Sequence, residues 1–394
     1  MADVILPVSA SALEEELQRI GVHPGSLPIF RARAAIMPLK LYGVRTPAAN
    51  ILKQELLGGG ADCAVHRDCV SGRTEKTDVL LLGTLKAYRE LLRKITPMPF
   101  FGLPEIAGEL RDYLERPGPR TRLAGGRELD YSRVLVMGIV NVTGDSFYAA
   151  SRTPGAEGAA AAAGRMLDEG ADIIDVGAES TRPGARPASL EDELERLIPA
   201  IRAIKKRFPY SVVSADTYRA AVARAAIDEG ADIINDITGA AAPEMIRLVA
   251  GRGVPVVITH MRGVPETMQE SPAYDDVVRE VFAFLAERGA ALAGAGVGRE
   301  KIIVDPGIGF GKTTGNNLEL LRRLNELTGL GYPVLLAASR KTVIGETLGG
   351  LEPEERLEGT VALSCQAVMA GAGMVRVHDV KENVRAIRML EAVR

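Results

Sequence analysis

The chain of 394 residues has only three cysteines and four histidines, and aromatic side chains make up 4% of it. An odd, sparse set of cysteines cannot supply a disulfide framework, and it fits a reducing compartment such as the cytoplasm. No apolar run is long enough to cross a bilayer. Long basic runs are missing too, and the net charge is −3, which argues against nucleic acid as the main partner. The stretch MADVILPVSASALEEEL lacks a basic region and soon turns acidic, so a secretory leader is not expected.

Two local patterns invite a metal or nucleotide reading and do not sustain it. Cys63, His66 and Cys69 lie in ADCAVHRDCV, which reads as a strand. There positions 63 and 69 share one face while 66 points to the other, so the three would not converge on one ion. The G-K-T of GFGKTT lies in a glycine-rich turn, but a phosphate loop needs a glycine five positions before Gly311, and Pro306 stands there. What this region does contain is a buried parallel strand, Ile302 to Val304, that ends on Asp305 and is stopped by Pro306 and Gly307. A carboxylate at the end of a buried strand needs a cation or hydrogen-bond donors. Glycines 307, 309 and 311 let the backbone come close to a ligand, and Asn316 or Asn317 reads as the N-cap of the helix LELLRRLNEL.

The chain length fits two domains, or a barrel with an appendage. Residues 1–116 read as a small α+β unit: helices in SALEEELQRI, PAANILKQELLGGG, TLKAYRELLRKI and IAGELRDYLER, one or two strands in RAAIMPLKLYGV with a bend at Pro38, and a hairpin of ADCAVHRDCV with TDVLLLG. No catalytic constellation shows there, so packing or oligomerisation is its expected role. Residues 117–132 read as a linker (RPGPR) followed by a hairpin around Gly125 and Gly126 that plugs the base of the next domain. From 133 to 394 strands alternate with helices: VLVMGIV, DIIDVGA, VVSADT, DIINDIT, PVVITH, KIIVDPG, PVLLAAS and MVRVHD. Eight such units, with the near-repeat of DEGADIIDVGAES in DEGADIINDITGA, predict an α/β fold, a (β/α)8 TIM barrel, rather than an open sheet.

In that fold the site lies where the strands end. The polar residues there are Asn141, Glu179 with Thr181 and Arg182, Asp216, Asn235, His260, Asp305, Ser339 with Lys341, and Arg376 with His378. Parity sends Arg376 and His378 into the mouth together, and likewise Ser339 and Lys341. So many polar ends at one mouth point to an enzyme. Asp216, Asn235, Asp305 and Lys341 suit the edge of an amide-rich heterocycle. Asn141, Arg182, Arg376 and His378 supply donors and positive charge for an anion such as phosphate. The plain alternatives are that Lys341 only pairs with Asp305 and that His378 is a core imidazole bonded to a backbone carbonyl.

NVTGDSF, ESTRPGA, SADTYR, INDITG, THMRG, DPGIGFGKTTGNNLELL, ASRKTVIG, RLEGT and RVHDV occur in this order. Over roughly Leu123 to Arg394 the chain resembles the dihydropteroate synthases of folate biosynthesis. The resemblance implies a transferase that condenses 6-hydroxymethyl-7,8-dihydropterin diphosphate with para-aminobenzoate. It implies that Asp216, Asn235, Asp305 and Lys341 hold the pterin, with Met261 and Phe310 packing nearby. Asn141 would meet Mg2+ and diphosphate, Arg376 and His378 would clamp the anion, and Thr181, Arg182 and Ser339 would line the aminobenzoate site. A homodimer is likewise implied. The competing members of this resemblance are a methyltransferase that passes a methyl from a reduced folate to a corrinoid protein, and a non-catalytic pterin-binding paralogue. The first loop departs from the family, which reads close to NVTPDSFSDGG; here Gly144 replaces proline and the second acid falls at Ala149, although Asp145 and Phe147 remain. Asp145 is therefore expected to take over part of the loop's catalytic charge. The extension over residues 1–116 lies outside the family's common barrel.

Overall fold

The computed structural model describes residues 13–142, 155–178, 188–263, 268 and 272–393. The first of two units, Met1–Pro117, contains α1 (Leu13–Arg19), α2 (Leu27–Ala34), β1 (Ile36–Arg45), α3 (Thr46–Gly58), β2 (Asp62–Ala64), β3 (Lys76–Thr84), α4 (Leu85–Ile95) and α5 (Leu103–Glu115). The three strands form an antiparallel sheet in the order β1-β3-β2. Along β3, Thr77, Val79, Leu81 and Gly83 are buried in strict alternation, the two-residue period of a half-covered sheet. Val79 and Leu81 pack with Leu52 and Leu56 of α3 and Leu91 and Ile95 of α4.

Two local expectations change in this unit. Pro38 does not bend β1; it sits in register opposite Leu82, and the irregularity falls between Leu41 and Val44, where Gly43 has φ +61°. β1 is an edge strand, so a residue without an N–H is tolerated. The strand through Cys63 stops at Ala64, and Arg67–Cys69 form a short 3-10 turn instead. His66 caps that turn, its Nδ1 accepting from the Asp68 N–H at 3.2 Å. Strand parity therefore does not govern Cys63, His66 and Cys69.

The second unit, Gly118–Arg394, opens with an antiparallel hairpin of β4 (Arg120–Arg122) and β5 (Glu128–Asp130). Eight parallel strands follow: β6 (Leu135–Asn141), β7 (Ile173–Gly177), β8 (Val212–Asp216), β9 (Ile233–Asp236), β10 (Val256–Thr259), β11 (Ile302–Asp305), β12 (Leu335–Leu336) and β13 (Met374–Val377). The helices between and after them are α6 (Gly155–Asp168), α7 (Leu190–Arg207), α8 (Ala220–Asp228), α9 (Pro243–Arg252), α10 (Val277–Gly294), α11 (Thr314–Arg322), α12 (Leu324–Leu327), α13 (Thr342–Thr347), α14 (Leu357–Ala370) and α15 (Val380–Val393). The strands lie in the order β11-β10-β9-β8-β7-β6-β13-β12, and a parallel bridge between Val304 and Val334 joins the two ends. This is the (β/α)8 barrel that the alternation predicts.

Parity then sorts the side chains. Val136, Ile174, Val213 and Ile234 face outward into the helix layer. Met137, Ile173, Ile233, Ile303 and Met374 face inward and form one apolar cluster with Leu123 and Leu129 of the hairpin. The hairpin thus packs its Leu123 and Leu129 against the inward-facing residues. It is fastened by Arg127, whose Nη2 lies 2.6 Å from Asp232 Oδ1, while Lys205 Nζ and the Val213 N–H meet Asp232 Oδ2 at 2.9 Å each. Two residues further along the inward parity the apolar layer gives way to Asp175, Ser214, Asn235, Thr259, Asp305 and Arg376.

Replacing Asp232 with alanine leaves Arg127 and Lys205 without their carboxylate. The second unit should lose roughly 2–4 kcal/mol, less than for a wholly dry pair because the Arg127 side chain stays 42% exposed. A lowered midpoint in chemical denaturation reads this, and an unchanged midpoint would show that the apolar plug holds without its ionic fastening.

Candidate active site

Arg376 stands in the centre of the mouth, placed by the inward parity of β13. Its Nε donates to Asp175 Oδ2 at 2.6 Å and its Nη2 to Asp216 Oδ2 at 2.7 Å. Asn235 Nδ2 reaches the same Asp175 oxygen at 3.3 Å. Asp175 is wholly buried in the middle of β7, and among the described residues its second oxygen has no hydrogen-bond partner; neither has the hydroxyl of Ser214, its register neighbour on β8. Burial opposes the Arg376 charge, but Asp175 and Asp216 outweigh it and hold the guanidinium above its ordinary range. Burial pushes the Asp216 carboxyl up to about 7, against the pull of Arg376 and with the help of the Asp175 charge.

A second group gathers on the turn after β11. Asp305 Oδ1 accepts the Gly307 N–H at 2.7 Å, as an acid just before a tight turn can. Burial raises the Asp305 carboxyl and Lys341 opposes that rise. Lys341 Nζ donates to the Ile308 carbonyl and lies 4.5 Å from the centre of the Phe310 ring. Burial lowers its ammonium to about 8, with Asp305 resisting. The N-cap of α11 is Thr313, in a reciprocal capping box with Asn316, and not Asn316 or Asn317. Asn317 is buried and works on the turn: its Oδ1 accepts the Gly309 N–H at 2.8 Å and its Nδ2 donates to the Thr313 carbonyl at 2.9 Å.

The third group joins β12 to β13. Ser339 Oγ lies 3.0 Å from His378 Nδ1 and accepts the His378 N–H at 3.2 Å. β12 ends at Leu336 and Arg340 has φ +57°, so strand alternation does not carry through this segment. Ser339 therefore goes to His378, whereas Lys341 goes to the turn after β11. Arg340 is held by both oxygens of Asp379 at 2.8 Å and by the carbonyls of Pro353 and Glu354. That planar, buried fork fixes a backbone conformation that is uncommon outside glycine.

Among the sequence candidates, Asp216, Asn235 and Arg376 are bonded together through Asp175, and Asp305 and Lys341 stand near enough to act on Arg376 through their charge. His378 pairs with Ser339. Asn141 ends β6 half-buried beside Gly177, and Met261 is half-buried just beyond β10. Asp145, Glu179, Thr181 and Arg182 lie outside the described residues. Two members were not singled out from the sequence. Asp175 sat inside an apparently uniform buried run, although its parity with Ile173 gives it away. Lys312 lies in the turn after β11 and carried no periodic signal.

Asp175→Asn keeps the shape and removes one charge from the layer. The Asp216 carboxyl should then titrate below about 7, because less negative charge opposes its ionisation and Arg376 has one carboxylate to serve. Carboxyl-carbon NMR reads the shift; a titration unmoved from the parent would mean that Asp175 and Asp216 are not coupled.

Comparison with known proteins adds to this geometry. Residues 137–378 match the family described as "Pterin binding enzyme". The dihydropteroate synthase of Escherichia coli K12 is 46% identical over 269 residues, covering 68% of this chain and 95% of its own length. A probable bifunctional folylpolyglutamate synthase/dihydropteroate synthase of Haloferax volcanii is 40% identical over 376 residues, covering 92% of this chain, which spans 44% of that longer protein. Its match thus extends over most of the first unit as well. The solved dihydropteroate synthase of Yersinia pestis, in a sulfonamide complex, superposes with a TM-score of 0.67 at 41% identity, covering 70% of this chain and 98% of its own. With its barrel, its strand-end layer and these relatives, the chain belongs to the pterin-binding enzyme family, among the dihydropteroate synthases.

Proposed function

We propose that this chain is a transferase that condenses 6-hydroxymethyl-7,8-dihydropterin diphosphate with para-aminobenzoate, giving 7,8-dihydropteroate and diphosphate. The observation that supports this reading best is the buried polar layer above an apolar floor. Asp216 and Asp305 accept from N–H groups, Asn235 both donates and accepts, and Lys341 donates. A neutral heterocycle with several N–H groups and ring acceptors satisfies such a set without bringing charge of its own. Phe310 and Met261 offer half-buried apolar surface for the flat faces of the ring.

In the reaction the pterin methylene carbon loses its C–O bond to diphosphate and gains a C–N bond to the aromatic amine, which then sheds a proton. The amine is a poor nucleophile, so the electrophile must be activated. Arg376, His378 and Lys341 supply donors and positive charge toward the departing diphosphate. The fixed carboxylates stabilise positive charge on the pterin as it leaves, and this is electrostatic preorganisation. No strong general base is needed, because the amine becomes acidic once it has attacked. In this reading Thr181, Arg182 and Ser339 line the aminobenzoate site, and Asp145 supplies loop charge in place of the acid missing at Ala149.

Mg2+ fits the residues that are present. Among the described residues no group of three acidic, histidine or cysteine side chains is arranged to cage an ion. Magnesium commonly keeps most of its waters and takes one or two protein oxygens beside substrate phosphates, and the Asn141 amide oxygen at the mouth can be one of these. Bound there with diphosphate, the ion would neutralise charge on the leaving group. Residues 1–116 take no part in the chemistry on this reading. A homodimer in the cytoplasm completes it; no helix among the described residues is long and apolar enough to cross a membrane.

Diphosphate release should require both substrates together, and release that ignores aminobenzoate would reject the assignment. Asp305→Ala should leave pterin donors unpaired in a buried pocket and weaken pterin binding by roughly 2–5 kcal/mol. Calorimetry on the folded variant checks this, and parental affinity would remove Asp305 from the pterin site.

A further inference from the structure

The lysine of GFGKTT is the most deeply buried cation in the turn after β11, and the reaction as described leaves it unused. Lys312 is 3% exposed. Its Nζ lies 2.9 Å from the Gly307 carbonyl, 3.0 Å from that of Phe310, 3.4 Å from that of His260 and 2.8 Å from His260 Nδ1. Burial lowers the Lys312 ammonium well below its ordinary range, with Asp305 opposing, and these four acceptors are what hold its three hydrogens when it is charged, so nothing remains for a phosphate. His260 must offer the lone pair of Nδ1, and it is neutral: burial, then the Lys312 charge, lowers it to about 3.

We infer that Lys312 is a positioning residue for the pterin pocket, an ammonium clamp that ties the turn after β10 to the turn after β11. This rests on the functional reading above. The two turns touch through backbone. A Cβ at Gly307 would lie 1.9 Å from the His260 carbonyl oxygen, and one at Gly311 would lie 2.3 Å from that of Arg262. Both glycines have positive φ, +68° and +60°. The carbonyls of His260, Gly307 and Phe310 are thereby driven toward one point, where they repel one another unless a cation sits among them. A buried ammonium held by neutral oxygens is costly, and simple packing would be served better by an apolar side chain. What the ammonium supplies that packing does not is a fixed direction for each carbonyl.

That direction is passed to the site. The Gly307 N–H holds Asp305, the Ile308 carbonyl holds Lys341, and Phe310 carries the ring beside Lys341. Lys312 touches none of the atoms proposed to react; it acts through these three residues. Its influence falls on the pterin side, because Ser339 and His378 are fixed by other contacts.

The test uses the full chain with Lys312→Met, which keeps the length and removes every donor, and Lys312→Gln, which keeps two neutral donors. Calorimetry with the pterin diphosphate and steady-state kinetics are run beside thermal unfolding. The clamp predicts that Lys312→Met raises the pterin Kd and KM about tenfold or more. It also predicts a fall in kcat smaller than the rise in pterin KM, an aminobenzoate KM within about twofold, and partial recovery in Lys312→Gln. A folded Lys312→Met chain with parental pterin affinity overturns the inference, as does equal loss for both substrates. If the methionine variant does not fold, the glutamine variant is judged by the same split; if neither folds, Lys312 belongs to the fold and the inference fails. A parent chain that binds no pterin overturns the functional reading along with it.

Discussion

Asp175, Asp216 and Asp305 project into the barrel above an apolar floor, Asp175 and Asp305 one inward position beyond it and Asp216 two. Carboxylates in such a place are unstable unless cations meet them, and the chain brings Arg376 between the first two and Lys341 beside the third. Arg376 is the only described side chain that bonds both Asp175 and Asp216. It therefore links strands β7, β8 and β13, which are not all adjacent, across the interior. A planar guanidinium can do this with two separate N–H groups, whereas an ammonium would offer no fixed angle between its bonds. The arrangement is dearer than an apolar core of the same volume, so its value lies in what it holds ready at the mouth.

What it holds ready is a set of groups poised close to neutrality. Asp216 is pushed up to about 7 and Lys341 down to about 8, both by burial first. Neighbouring groups with such values respond to each other and to a ligand, so protons can redistribute when a neutral heterocycle arrives. The layer is thus stiff in geometry and soft in protonation. The stiffness comes from below and from the sides: the hairpin plug under it, the Arg340–Asp379 fork between β12 and β13, and the contact of the turns after β10 and β11.

Much of this was legible in the residues. The eight strands followed from apolar runs separated by helical periods, and Asp216, Asn235, Asp305 and Arg376 followed from their place at strand ends. Parity failed where the backbone stopped being a strand. Ser339 and Lys341 part company because Arg340 adopts a left-handed conformation, which no alternation rule foresees. Asn317 resembled a cap because capping residues and turn-bonding residues are the same types; only the fold shows that Thr313 takes the cap and Asn317 the turn. Asp175 was hidden by its apolar neighbours. Lys312 was hidden because its partners are carbonyl oxygens, which leave no trace in a sequence of side chains.

The claim on which the account rests is that this layer is a preformed receptor for the pterin. A crystal structure of the chain with 6-hydroxymethyl-7,8-dihydropterin bound tests it most directly. The account predicts the heterocycle within hydrogen-bond distance of Asp216, Asn235 and Asp305, with the Asp175–Arg376 bond and the turn over residues 307–312 as they stand here. A pterin bound elsewhere, or one that enters only after Arg376 leaves Asp175 and the turn rebuilds, would contradict it.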